Sequence, residues 1–78
     1  MNVPQAVKKY KMVSVPESLK SGYIKRFACD DVHYMLETKK QMYYIFSNGP
    51  TYFLYRVDKM FGKKDLWHEP VIETLSNI

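Results

Sequence analysis

The chain has 78 residues, a net charge of +4 and a pI near 9.2, a size that holds one small core and excludes a large multidomain enzyme. A hydrophobic content of 46%, with four phenylalanines, seven tyrosines and one tryptophan, argues against disorder in the middle of the chain. No run approaches the ~18 apolar residues of a membrane span, Lys8, Lys9 and Lys11 interrupt the place of a signal-peptide core, and the lone Cys29 excludes an internal disulfide, so the sequence reads as a soluble cytoplasmic protein.

Residues 1–9 carry Pro4 and two lysines without evident periodicity and read as a flexible basic N-terminus ahead of a single domain over 10–78. Tyr10 to Val15 alternate as a short strand that Pro16 ends. Ser14 and Glu17 have capping-box spacing, and Leu19, Tyr23 and Phe27 recur every four residues, so a helix from Pro16 to about Phe27 is one reading despite Gly22. The other, slightly favoured, breaks at Ser21-Gly22 and makes Tyr23 to Ala28 a strand.

Asp30-Asp31 mark a turn or a cap, and Val32 to Glu37 read as a strand leading through Thr38 to Gln41 into the apolar centre, Met42 to Val57. Thr51 to Val57 alternate as a strand should. Asn48-Gly49-Pro50 before them suits either a hairpin loop or a helix stop. As a hairpin, an Asn48-Gly49 turn would require an N–H from residue 50, which proline lacks, so a three-residue loop is expected, with Ser47 opposite Thr51, Ile45 opposite Phe53 and Tyr43 opposite Tyr55. As a helix, the segment would start at Asp30 or Asp31 and align Val32, Met35, Leu36, Tyr43 and Phe46. The hairpin is preferred because Tyr43-Tyr44-Ile45 is a poor helical run.

Met60 and Phe61 are expected to tuck under the core, Leu66 to His68 to close the sheet, and Val71 to Leu75 to form a strand or one helical turn. The fold class expected is mainly β, a small antiparallel meander or incomplete barrel with at most one or two short helices; the alternative is α+β with a helix at about 30–47 packed on a small sheet.

Nothing in the sequence marks an enzyme. Cys29 and the serines lack a nucleophile turn, His33 and His68 lack metal-ligand spacing, and the glycines Gly22, Gly49 and Gly62 stand apart, so no catalytic residue, metal or cofactor is expected. Binding is the favoured class. Residues 1–28 hold six basic side chains against Glu17 alone, which points to an acidic macromolecular partner, a protein in preference to nucleic acid. So many tyrosines exceed what so small a core can hide with every hydroxyl satisfied. A basic, tyrosine-rich face of Lys8, Lys9, Lys11, Tyr23, Lys25, Arg26, Tyr43, Tyr44, Tyr52, Tyr55 and Arg56 is therefore the expected binding surface, with one side of the Met42 to Val57 hairpin left open for the partner.

The same combination of stacking rings and cations would serve a single-stranded RNA or DNA binder, the alternative function, and a homo-oligomer is compatible with either. In general character this short, motif-free chain rich in lysine and tyrosine is similar to small proteins of phages and mobile elements that bind and block a host macromolecule. That resemblance implies an inhibitor of a host protein of nucleic-acid metabolism or defence.

Overall fold

The computed structural model describes residues 1–58 and 70–76. Helix α1 (Val3–Tyr10), strand β1 (Val13–Ser14) and helix α2 (Glu17–Phe27) precede β2 (Asp31–Glu37), β3 (Gln41–Asn48), β4 (Thr51–Asp58) and β5 (Val71–Leu75). The strands form one open antiparallel sheet in the order β1-β2-β3-β4-β5, so the fold is a mainly β meander with two short helices. The alternative helix over 30–47 is not formed, because β2 and β3 occupy that stretch. Met60, Phe61 and Leu66 to His68 lie outside the described residues.

Helix α1 replaces the flexible start expected for residues 1–9. Asn2 and Gln5 close a capping box: the Gln5 N–H donates to Asn2 Oδ1 at 2.8 Å and the Asn2 N–H to Gln5 Oε1 at 3.0 Å. Pro4 fits the first turn, where its missing N–H leaves no gap. Lys8 and Lys9 complement the negative end of the helix dipole, and Lys11 ends it in the left-handed conformation with φ 53°. Val3, Ala6, Val7 and Tyr10 form the stripe packed on the sheet, Ala6 fully buried and the other three half-buried.

The stretch Tyr23 to Ala28, slightly favoured as a strand, is instead the second half of α2, through Phe27, with Ala28 as its left-handed C-cap. The helix wins because it turns Tyr23, Ile24 and Phe27 together onto the sheet, whereas a strand would divide them between two sides. Its N-cap is Pro16, without a side-chain hydrogen bond, so the Ser14–Glu17 box is not the device used; Ser14 lies in β1. The expected strand Tyr10 to Val15 shrinks to β1 because α1 extends through Tyr10.

The central hairpin forms with a register one residue away from the one expected. Asn48 pairs with Thr51, leaving a two-residue connection, Gly49-Pro50, and Ile45 faces Leu54 while Tyr43 faces Arg56. Gly49 takes φ +56° at the first central position, and the proline ring sets a negative φ at the second. Of the two primed hairpin turns, only type II′ accepts that combination. Moving the turn by one residue removes the demand for a proline N–H. It also exchanges which β4 side chains share a side with Tyr43 and Ile45, since strand periodicity is two. Asp30 braces the turn: its N–H donates to Ser47 O and Asn48 Oδ1, both at 3.0 Å, and its Oδ2 accepts the Gly49 N–H at 2.6 Å.

Each side of the sheet is covered by one helix. Tyr34, Leu36, Tyr43, Ile45, Tyr52, Leu54 and Leu75 pack with α1 and Met12. On the reverse, Val32, Phe46, Met35, Phe53 and Tyr55 pack with Tyr23, Ile24 and Phe27 of α2, and Met42, Tyr44 and Val57 continue that layer. Strand β3 is buried from Met42 to Ser47. The open side expected for the hairpin is therefore absent; a strand apolar on both sides finds a cover on both. Among the described residues no helix is long and apolar enough to cross a membrane, and no three acidic, histidine or cysteine side chains group as a metal site.

Candidate functional site

Strand alternation and the two helices divide the expected binding residues among three places. The first is the end of the sheet where α1 stops. Lys8 and Lys9 occupy the last turn of α1, Lys11 caps it, and all three are exposed. The Met12 N–H returns to Val7 O at 3.0 Å and Val13 then pairs with Met35, so the chain leaving α1 enters the sheet beside the β2 end that carries Glu37. The turn after Glu37 exposes Lys39 and Lys40 and is tied by Thr38 Oγ1, which accepts the Gln41 N–H at 2.9 Å. Tyr10 lies 4.7 Å from Tyr43 between ring centroids, with Lys9 Nζ 5.3 Å from the Tyr10 ring, and Arg56 faces Tyr43 across the β3–β4 ladder. Lys8, Lys9, Lys11, Lys39, Lys40 and Arg56 thus gather at one end, against Glu37 and Asp58.

A small cavity of about 140 Å³ opens within this basic end, lined by Gln41, Tyr43, Arg56, Asp58 and Val71. Tyr43 is 8% exposed; burial, and then the Asp58 charge, push its hydroxyl pKa up and hold it as a donor. Arg56 Nε is buried and has no hydrogen-bond partner among the described residues.

The second place is the opposite side of the sheet, under and on α2. Lys25 and Arg26 are exposed there, while Tyr23 and Tyr55 are half-buried against the sheet. Tyr44 is fully buried, 5.0 Å from both Tyr23 and Phe27 between centroids. Tyr43 and Tyr44 are thus core residues, and the sheet separates Lys25 and Arg26 from the α1 lysines. The expected residues do not form a single face, because neighbouring strand residues point to opposite sides and each side has its own helix.

Tyr52 belongs to the third place, an open cleft of about 560 Å³ between the start of α1 and the β3–β4 turn, lined by Val3, Pro4, His33, Tyr34, Gly49, Pro50 and Tyr52. A β-bulge between Val32 and Tyr34 builds it by inserting His33, which puts His33 and Tyr34 on the same side. His33 Nε2 is 2.8 Å from Ser47 Oγ, its ring lies 5.2 Å from Tyr52, and Nδ1 is 3.8 Å from Asp31 Oδ2.

The order Ser47, His33, Asp31 resembles a nucleophile–base–acid chain, but its geometry is that of a tie between β2 and β3. The His33–Asp31 separation exceeds hydrogen-bond reach, Ser47 is 6% exposed, and Asp31 Oδ1 is held by the Val32 N–H at 2.9 Å. His33 appeared in the sequence only as half of a pair with His68, which lies outside the described residues. The signals that could have found this cleft are His33 and Tyr34 side by side in a β-run and a proline-containing turn one hairpin away. Comparison of the chain with protein-family models, with curated proteins and with solved structures finds no match.

Proposed function

We propose that the chain is a non-catalytic binding protein of the cytoplasm that engages an acidic macromolecular partner, a protein in preference to a nucleic acid, through the basic end of its α1 side. The observation that carries this reading is the convergence of Lys8, Lys9 and Lys11 from α1 with Lys39 and Lys40 from the β2–β3 turn, all exposed, around Tyr10 and the Arg56 cavity. Such a cluster of one sign steers an acidic surface during encounter, and neighbouring tyrosine and arginine supply contact area. A protein is favoured because the described tyrosines are committed to packing or to edges; stacked bases need several open ring faces in a row, and Tyr43 and Tyr44 offer none. A buried free cysteine suits a reducing compartment. Blocking a host protein of nucleic-acid metabolism or defence is the role most in keeping with a small stoichiometric binder of this kind.

The test is capture from nuclease-treated lysate of the native host. The expected result is retention of a stoichiometric protein whose release is promoted by salt, since exposed charges are screened within ~8–10 Å at physiological ionic strength. Retention of nothing, with tight binding of single-stranded RNA or DNA whose affinity falls steeply with salt, would overturn the protein reading in favour of direct nucleic-acid binding.

A further inference from the structure

We propose that β5 pairs with the β5 of a second copy, antiparallel and about a twofold axis at Ile72, so that two sheets join into one. The sheet has two edges, and they differ. At one lies β1, only Val13–Ser14, and so short a strand offers little to pair with. At the other lies β5, which runs through Val71–Leu75 with no lysine, proline or bulge to blunt it. Every second residue of an edge strand turns its N–H and C=O away from its neighbour, here β4. Among the described residues the one further pairing lies past the end of β5, at Ser76, which bridges to Asn2 and whose N–H donates to Met1 O at 3.2 Å. Val71 and Ile72 are 52% and 56% exposed, one on each side of the strand.

Charge selects the arrangement. The chain carries +4, and a second copy set parallel would bring two basic ends together; set antiparallel, it places them at opposite ends of the joined sheet. Ser76 is already engaged, so the run left for a second strand is centred on Ile72 or on Glu73. An axis at Glu73 sets two carboxylates directly opposite each other, which is repulsive. An axis at Ile72 sets Ile72 against Ile72 and Val71 against Glu73. On the α2 side, where Tyr55 pairs with Ile72, the two copies then share one unbroken apolar row. On the α1 side Glu73 meets Val71 of the second copy, in the row that ends on that copy's Arg56, because Arg56 pairs with Val71. Opposite charges share a row and like charges do not. Two short strands make a small interface, so association is weak and concentration-dependent. It leaves the α1 lysines free and does not depend on the basic-end reading.

Sedimentation velocity of the full chain at physiological ionic strength tests the pairing. The wild type should pass from monomer to dimer, and no further, as concentration rises to about 1 mM. Ile72→Lys and Ile72→Glu should each weaken association by about tenfold or more, since either sets like charges opposite at the axis, and mixing the two variants should restore it. Leu19→Lys, at an exposed apolar position on α2, should leave association within about twofold. In the wild type, amide shifts that change with concentration should fall on residues 71–75; they carry the comparison should an Ile72 variant fail to fold.

A wild type that stays monomeric over that range overturns the proposal, as does a dimer indifferent to both Ile72 variants or dissociated by Leu19→Lys. Variants that stay apart when mixed move the axis off Ile72 and overturn the register. Oligomers that keep growing with concentration would show head-to-tail pairing of unlike edges and overturn the twofold.

Discussion

Replacing Tyr44 with alanine is expected to lower stability by about 3–5 kcal/mol, the range for truncating a large buried ring. For a chain of 78 residues the total is on the order of 4–12 kcal/mol, so this one change brings the fold close to its limit. The reason is position. Tyr44 is fully buried at the middle of β3, where Tyr23 and Phe27 of α2 meet it at 5.0 Å and Tyr55 at 6.1 Å between centroids. Removing it leaves a hole between helix and sheet that rigid neighbouring rings cannot close.

Tyr44→Phe should behave in the opposite way. The Tyr44 hydroxyl is buried without a well-formed hydrogen bond among the described residues, and the Tyr23 hydroxyl is its polar neighbour. Deleting it should leave stability unchanged or raise it by up to ~1 kcal/mol. The same variant should flatten the alkaline limb of the stability curve. Burial first, then the Tyr23 hydroxyl and the Glu37 charge, push the Tyr44 pKa well above the ordinary 10.0.

With a folded pKa above the unfolded one, the contribution is fully present below pH 10. It falls as the unfolded chain ionises above that pH, by about 1.4 kcal/mol per pH unit. Urea unfolding of the wild type, Tyr44→Ala and Tyr44→Phe at pH 7 and through the alkaline range checks all three statements. A Tyr44→Phe variant that is destabilised by more than ~1 kcal/mol would mean that the hydroxyl is bonded after all.

The second large effect is expected at Ala6, where an aspartate should lower stability by at least ~3 kcal/mol, because a carboxylate would be forced into an apolar contact without a partner. Ala6 is fully buried between α1 and the layer of Tyr43, Ile45 and Leu54. Lys8→Ala, on the solvent side of the same helix, should change stability by no more than ~0.5 kcal/mol. Chemical denaturation of both variants, with hydrogen exchange of the α1 amides, distinguishes a docked helix from a loose one. An Ala6→Asp variant as stable as the wild type, with rapid exchange throughout α1, would restore the flexible start that the sequence suggested.

The sheet was legible where local pattern and tertiary packing agree. Thr51 to Val57 alternate, Asn48-Gly49-Pro50 carries turn residues, and Thr38 to Gln41 are polar, so β2, β3 and β4 could be placed within a residue or so. The hairpin register was missed by one residue because a proline N–H is needed only if Asn48 and Gly49 are the central pair; Gly49-Pro50 asks for none. Helix α1 was hidden by its lysines. Val3, Ala6, Val7 and Tyr10 have the i, i+3, i+4, i+7 spacing, and Lys8 and Lys9 interrupt the run without interrupting the stripe, since they lie on its solvent side. Helix α2 was ambiguous for a different reason: Tyr23 to Ala28 fits both periods. The deciding contacts, to Tyr44, Phe46 and Tyr55, lie far along the chain.

The binding residues were legible as residue types and not as a place. Lysines, arginines and tyrosines named in the sequence are present where cations and rings meet, but which side each faces follows from strand parity and helix docking. Lys39 and Lys40 read as a polar turn until that turn was set beside the end of α1. The His33 cleft depends on a bulge, which a sequence does not announce, because it is a property of two strands in register.

The claim that the partner is met at the basic end is tested most directly by comparing two sets of substitutions in the capture assay. One chain carries Lys8→Gln, Lys9→Gln and Lys11→Gln; the other carries Lys25→Gln and Arg26→Gln on the α2 side. Glutamine is used because an acidic residue would oppose the dipole at the end of each helix. With both chains shown to fold like the wild type, the first should lose partner affinity by about tenfold or more, and the second should stay within about twofold. Loss in the second set with none in the first would place the contact on the α2 side and contradict the account.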